Sequence, residues 1–338
     1  MSFASAIHAM YGRTCAVLAV MVLAALPNSF AYAVGIDGAA AGYTLSKVAA
    51  EEFQRAKKKA IRIVLGNSGS SGGLRKLCLN ETDFANASRP ILNEEASACR
   101  KSGVEFIELP VAFDAITVVV NPRNTFVSSL SAEELKRIWE PGAQGKVVRW
   151  SQVSSRFPDA PLKLLAPDAR FESVSTFSEA LLGRGVRPRA DSMTSVDDNV
   201  LIQGVARDIH ALSYVPHSTY LDNRSKLKAV PIATGAGAAA VSPSPETLAS
   251  GAYALLGRPL FLYVNVKSLD NHEVRELAQF ILANGSQLAR TARYVPLTEA
   301  TYKVGLEHLR NRSTGSAWGG AVPVGLTPAE LQKRQAAL

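Results

Sequence analysis

The sequence predicts an α/β protein, with helices flanking its sheets. Apolar runs of strand length alternate with helical patterns along the whole chain, which points to mixed layers rather than to a sandwich or a bundle. After the strand-like Ile61-Arg-Ile-Val-Leu65, a run of glycine and serine leads directly into a helical pattern. Beyond an N-terminal leader, residues 34–338 are enough chain for two domains of ordinary size.

The elements follow in order. Arg13 precedes the unbroken apolar run Thr14-Cys-Ala-Val-Leu-Ala-Val-Met-Val-Leu-Ala-Ala-Leu26, which is short for a bilayer span. Pro27-Asn-Ser-Phe30 and then Ala31-Tyr-Ala33 supply the small-x-small pattern of a signal peptidase site. A cleavable signal peptide over residues 1–33, a mature start near Val34 and a periplasmic location are expected. An uncleaved anchor is the competing reading. Cys15 lies at the start of the apolar run rather than after it, so a lipoprotein fits poorly. Loss of Arg13 with the leader lowers the formal charge from +8 to +7. That basic surface suits an anionic ligand, a solvated face or a nucleic acid equally. No later segment is long and apolar enough to span a membrane, so a soluble mature protein is expected.

A helical stretch from near Leu45 closes on Lys57-Lys-Lys59, ahead of the strand 61–65 and the loop Gly66-Asn-Ser-Gly-Ser-Ser-Gly-Gly73. Residues 104–109 and 115–120 read as two further strands, the second apolar enough to be buried on both faces. Ser131-Ala-Glu-Glu134 has capping-box spacing ahead of Leu135, Ile138 and Trp139, and Pro141 ends that helix. Strands over 161–165, 211–215 and 259–264 alternate with helices over 173–182, from Asp197-Asp198 to Val205, and over 272–284 and 300–310. Residues 234–245 show no periodicity and read as a surface loop. The tail from Asn311, ending in a short helical pattern over 328–338, is expected to be peripheral.

The glycine-serine loop is the sharpest chemical feature. A strand, a loop of small residues and a helix aim backbone N–H groups and the positive end of a helix dipole at one point, where an oxyanion is the natural occupant. A plain flexible turn needs the same glycines. Ser68, Ser70 and Ser71 add hydroxyl donors around Gly69. Leu74-Arg75-Lys76 stands where a nucleotide-binding loop needs Gly-Lys-Ser/Thr, so nucleotide hydrolysis is disfavoured. Ala87-Ser88-Arg89-Pro90 follows Asp83 closely and brings a guanidinium suited to an oxyanion, or a plain surface arginine. Cys78 and Cys99, 21 residues apart, either pair in an oxidising compartment or remain two buried thiols. They have no His or Cys partner at ligand spacing, so no metal site is expected. His210, His217, His272 and His308 stand in no catalytic spacing, which leaves no catalytic residues and no enzyme reading. The basic residues Arg55, Lys57, Lys58, Lys59 and Arg62 are not interleaved with aromatics, so no nucleic-acid partner is expected.

The run Gly69-Ser-Ser-Gly-Gly-Leu-Arg-Lys-Leu-Cys78 and then Glu81-Thr-Asp-Phe-Ala-Asn-Ala-Ser-Arg-Pro90 resembles the periplasmic phosphate-binding proteins, the substrate-binding components of phosphate ABC transporters. Glu108-Leu-Pro-Val-Ala-Phe-Asp-Ala-Ile-Thr-Val-Val-Val-Asn-Pro122 is similar to the segment that crosses between their lobes. Leu135-Lys-Arg-Ile-Trp-Glu-Pro141, Asp197-Asp-Asn-Val-Leu-Ile-Gln-Gly-Val205, Arg258-Pro-Leu-Phe-Leu-Tyr-Val264 and Tyr294-Val-Pro-Leu297 match later family signatures in order.

The resemblance implies a two-lobed periplasmic-binding-protein fold of type II, each lobe a mixed sheet flanked by helices, with a hinge between. Lobe 1 maps to residues 34–117 plus 259–312, lobe 2 to 118–258, and the tail to 313–338. It implies capture of phosphate or a related oxyanion in the cleft and delivery to an ABC permease in the inner membrane, by a monomer without a cofactor. The implied ligand-binding residues are Ser68, Gly69, Ser70, Ser71, Ser88 and Arg89 from the first lobe, with Arg170 and Ser173 arriving from the second. Two family loops are rewritten: methyl groups of Ala39, Ala40 and Ala41 replace hydroxyls, and Phe171 and Glu172 replace a Ser-Gly pair. A carboxylate at Glu172 is expected to repel a dianion. A divergent member that senses a ligand or binds a partner, without tight phosphate binding, stays open as the alternative.

Overall fold

The computed structural model describes residues 32–58, 61–235, 237–321 and 323–338. Of the expected leader only residues 32 and 33 fall inside that range, as does all of the 234–245 stretch except Ala236. The first part of the chain runs β1 (Ala33–Gly38), α1 (Ala40–Lys57), β2 (Arg62–Leu65), α2 (Gly69–Cys78), β3 (Phe84–Ala87), α3 (Asn93–Lys101) and β4 (Phe106–Val120). The middle part runs β5 (Leu130–Ser131), α4 (Ala132–Trp139), β6 (Lys163–Pro167), α5 (Glu172–Leu182), β7 (Met193–Ser195), α6 (Asp198–Arg207), β8 (Ala211–Pro216) and α7 (His217–Asp222). Short strands β9 (Lys228–Ala229) and β10 (Ile232–Ala233) and helix α8 (Pro245–Ala249) lead to β11 (Gly257–Asn265). Helices α9 (His272–Ala283), α10 (Gly285–Thr291), α11 (Glu299–Asn311) and α12 (Pro328–Gln335) complete the chain. The α/β class and the order of its main elements match the expectation.

The strands form one path, β2-β1-β3-β11-β4-β8-β6-β7, with β9 also on β4 and β5 paired to β10. β1 and β3 are parallel, as are β6, β7 and β8, whereas β11 runs antiparallel to both of its neighbours. β4 joins the two ends of this path. Its residues 106–115 pair with β11 and its residues 116–120 with β8. Every position of β4 is buried, as a central strand covered on both faces requires.

The two strands expected over 104–109 and 115–120 are therefore one. Phe261 faces Pro110 and Leu260 faces Ala112, so Val111 is bulged out of the ladder. A bulge is where a central strand tolerates proline, which has no N–H to donate. The Val111 carbonyl accepts instead from the Tyr302 hydroxyl at 2.9 Å.

The glycine-serine segment is also more ordered than a loop, because α2 begins at Gly69. A disulfide joins Cys78 at the end of α2 to Cys99 in α3. Closing a segment of that length restricts the unfolded chain by about 3 kcal/mol on the chain-entropy estimate. Cys78→Ser with Cys99→Ser is expected to lower the unfolding free energy by about that amount in urea titrations, and an unchanged midpoint would contradict it.

The tail is not peripheral. Trp318, Leu326, Leu331 and Gln335 are all buried. The fully buried Glu108 of β4 accepts hydrogen bonds from Ser316 Oγ (2.6 Å), the Ala317 amide (3.2 Å) and Gln335 Nε2 (2.9 Å). A buried carboxylate needs donors, and the tail supplies three of them. Periodicity cannot reveal that need, since the partners lie more than 200 residues away in the chain.

Candidate functional site

The site is built on the N-terminus of α2. Gly69 has φ +79°, in the left-handed region that favours glycine. Ser68 does not cap the helix with its side chain. Its hydroxyl and amide instead donate to Asp37 Oδ1, at 2.8 and 2.9 Å. Asp37 also accepts from the Gly38 amide at 2.7 Å and is paired with Lys76 of α2. Burial opposes its charge, but the Lys76 ammonium and the Ser68 and Gly38 donors outweigh burial and hold the carboxyl below the usual range. Asp37 thereby ties the end of β1 to the start of α2. Gly73 permits the close fit, since a Cβ there would meet Gly38 Cα at 2.6 Å and the Asp37 carbonyl oxygen at 2.7 Å.

The first turn of α2 faces Glu172, the first residue of α5. Glu172 Oε1 accepts from the Ser70 amide at 2.6 Å, and Oε2 accepts from the Ser88 hydroxyl at 2.8 Å. The Ser88 amide in turn donates to Ser70 Oγ at 3.0 Å, so Ser70, Ser88 and the carboxylate form one unit. α5 is held in place by its apolar face. Phe177 stacks on Tyr214 at 3.9 Å between centroids, and Trp139 meets both edge-on. Glu172 therefore serves two helix N-termini, its own and that of α2, and both dipoles favour a negative charge.

Two guanidinium groups flank the carboxylate, and each already has a partner. Arg89 grips Glu95 with both arms, at 2.7 and 2.8 Å, and Nη2 reaches Ser71 Oγ at 2.8 Å. Burial opposes the Glu95 charge, but Arg89 outweighs it and holds Glu95 below its usual range. Arg258 is paired with the buried Asp114, at 2.7 Å, and its Nη1 donates to Thr176 Oγ1 of α5 at 3.3 Å. Cavities lie on both sides of Glu172. One, of about 200 Å³, is bounded by Ser71, Ser88, Arg89, Arg258 and the tail residues 323–326. The other, of about 400 Å³, is bounded by Ala40, Ala41, Asp114, Ser173, Arg258 and Tyr294.

The structure thus gathers Ser70, Ser71, Ser88 and Arg89 around one point, with Gly69 beside them. Ser68 turns to Asp37. Ser173 is buried in the second turn-forming position of α5 and lines the larger cavity. Arg170 lies apart: it is largely exposed and is paired with Asp168 at 2.7 Å. Three residues of the site went unassigned in the sequence. Asp114 and Arg258 fall within segments that resemble the family, but they are 144 residues apart and nothing local points to their pairing, and Asp37 stands just ahead of the rewritten stretch Ala39-Ala-Ala41. Glu172 was expected to repel an anion; in the structure its own carboxylate sits on the anion donors.

Comparison with known proteins places this geometry. The profile of the PBP superfamily domain matches residues 28–284. Protein SphX of Synechocystis sp. is 39% identical over 322 residues, covering 95% of each chain. The phosphate-binding protein PstS of Staphylococcus haemolyticus is 35% identical over 246 residues, covering 72% of this chain and 75% of its own. A solved structure of a possible phosphate-binding protein from Planctomyces limnophilus is 34% identical, with a TM-score of 0.67, and is matched over its whole length by 84% of this chain. With a two-lobed fold shared by these neighbours and identity extending over nearly the whole sequence, the chain belongs to the PBP superfamily and, within it, to the family of SphX and PstS.

Proposed function

We propose that this protein captures phosphate between its lobes, at the N-terminus of α2, and delivers it to an ABC permease. One observation carries the reading: an amide and a hydroxyl, from Ser70 and Ser88, hold the two oxygens of one carboxylate at 2.6 and 2.8 Å. The Glu172 oxygens stand in for two oxygens of a phosphate. Helix N-termini with free donors are suited to such a group, and PstS, among the relatives, is named for phosphate. Export by the leader over residues 1–33, action as a monomer and lobes over residues 34–117 with 259–312 and over 118–258 belong to the same proposal. The crossing of β4 supports this lobe division, since its two ends serve different partner strands. Closure stabilises the bound state only through contacts that the open state lacks.

The Ser88 hydroxyl makes a charge-assisted hydrogen bond of about 1.5–3 kcal/mol. Ser88→Ala is expected to weaken phosphate binding by roughly tenfold or more in isothermal titration. An unchanged affinity takes Ser88 out of the site. A second reading has a specific observation behind it: the methyl groups of Ala40 and Ala41 line the cleft where the family resemblance implies hydroxyls, and the Glu172 carboxylate stands where it implies a glycine. On that reading the chain is a ligand sensor or partner-binding protein without tight phosphate binding. Titration with phosphate and sulfate separates the two. Micromolar binding of phosphate contradicts the second, and no binding of any oxyanion contradicts the first.

A further inference from the structure

Resting on the reading of α2 as the anion seat, we propose that Glu172 is the protein's own competing ligand and sets its affinity for phosphate. The carboxylate comes from α5 and bonds to Ser70 of α2 and Ser88 beyond β3, 102 and 84 residues away in the chain. The contact is not a local cap. It joins the two parts of the molecule whose approach encloses the cleft, and it does so with the same kind of group, a resonance-delocalised oxyanion, that the seat is built to hold. The seat has no charge to spare for a second anion. Arg89 is saturated by Glu95 in a two-armed pair, and Arg258 by the buried Asp114. A phosphate reaching the Ser70 amide must therefore take the place of the Glu172 oxygens rather than sit beside them.

Two consequences follow. Seated on Ser70 and Ser88, Glu172 ties α5 to α2 and holds the protein closed on itself. The measured affinity for phosphate is also lower than that of the bare seat, by the fraction of molecules in which Glu172 is withdrawn. If the carboxylate is seated in nine molecules of ten, that reduction is about tenfold.

The test uses the wild-type protein as cells process it, together with Glu172→Ser and, as a more conservative control of folding, Glu172→Gln. Inorganic phosphate is titrated into each by calorimetry. The Ser70 amide resonance is recorded separately in phosphate-free buffer. The proposal expects Glu172→Ser to bind phosphate at least tenfold more tightly than wild type, with Glu172→Gln between them, and the Ser70 amide proton of the variants to move upfield as its short bond to a carboxylate is lost. Equal or weaker phosphate binding by Glu172→Ser overturns it, while leaving phosphate capture standing. If neither wild type nor variant binds phosphate, capture at this seat fails, and the Ser70 resonance then decides the self-ligand contact alone: a shift upholds it and an unmoved resonance overturns it.

Discussion

Arg258→Met is expected to lower the unfolding free energy by about 3–5 kcal/mol, because it leaves a buried carboxylate without its cation. The Asp114 side chain is 1% exposed and the Arg258 side chain 7% exposed. Asp114 Oδ2 accepts from Nε at 3.1 Å and from Nη2 at 2.7 Å, and Oδ1 has no hydrogen-bond partner among the described residues. Methionine keeps the volume and the apolar contacts of the arginine stem but offers the carboxylate nothing. The loss reads out as a lower urea midpoint at unchanged slope. Adding Asp114→Leu to Arg258→Met is expected to recover much of it, since two apolar groups replace a buried pair at little net change. A single variant as stable as wild type would contradict the argument. The same arginine spans from β11 to Thr176 of α5, so the single variant is also expected to loosen the helix that carries Glu172.

Glu108→Leu is the second large effect. Leucine fits the volume, yet the Ala317 amide and Gln335 Nε2 lose their acceptor, while the Tyr263 and Ser316 hydroxyls are free to turn elsewhere. An unsatisfied buried donor costs about 1–3 kcal/mol, so a loss of about 3 kcal/mol or more is expected. Hydrogen exchange should accelerate along residues 313–338 ahead of the rest of the chain. Wild-type exchange rates in that segment would contradict the clamp. The carboxyl also carries a pH signature. Burial raises it above its ordinary value of 4.5, against the opposing effect of Ser316, Tyr263, Ala317 and Gln335. A raised acid binds a proton more readily folded than unfolded, so its contribution to stability is fully present below 4.5 and is lost as pH rises through the folded value. Glu108→Gln, which cannot ionise, is expected to flatten that part of the stability profile.

These two buried carboxylates also mark where the sequence stops being legible. The alternation of strands and helices was plain from apolar patterning, and the Ser131 capping box was found where its spacing put it. The glycine-serine segment reads as a candidate anion seat through local chemistry, because the strand, the turn and the helix start are consecutive. What periodicity could not give was pairing across the chain. Arg170 looked available for a ligand until Asp168, two residues back, took it up. Glu172 looked repulsive because a local reading sees a carboxylate where the family resemblance implies a glycine. Only the placement of α5 against α2, fixed by the packing of Trp139, Phe177 and Tyr214, shows that the donors already hold that carboxylate. Likewise residues 104–109 and 115–120 read as two strands, and only the register opposite β11 shows one strand with a bulge that absorbs Pro110.

The central claim is that phosphate and Glu172 contend for one seat at the start of α2. Two anions about 4 Å apart at a partly exposed site repel by roughly 4 kcal/mol per unit charge pair, so they do not share it. A crystal structure of the wild-type protein grown with phosphate tests this most directly. The account predicts phosphate oxygens on the Ser70 amide and the Ser88 hydroxyl, with the Glu172 side chain turned out of the seat. Phosphate bound elsewhere in the cleft, with Glu172 still on Ser70 and Ser88, would contradict it.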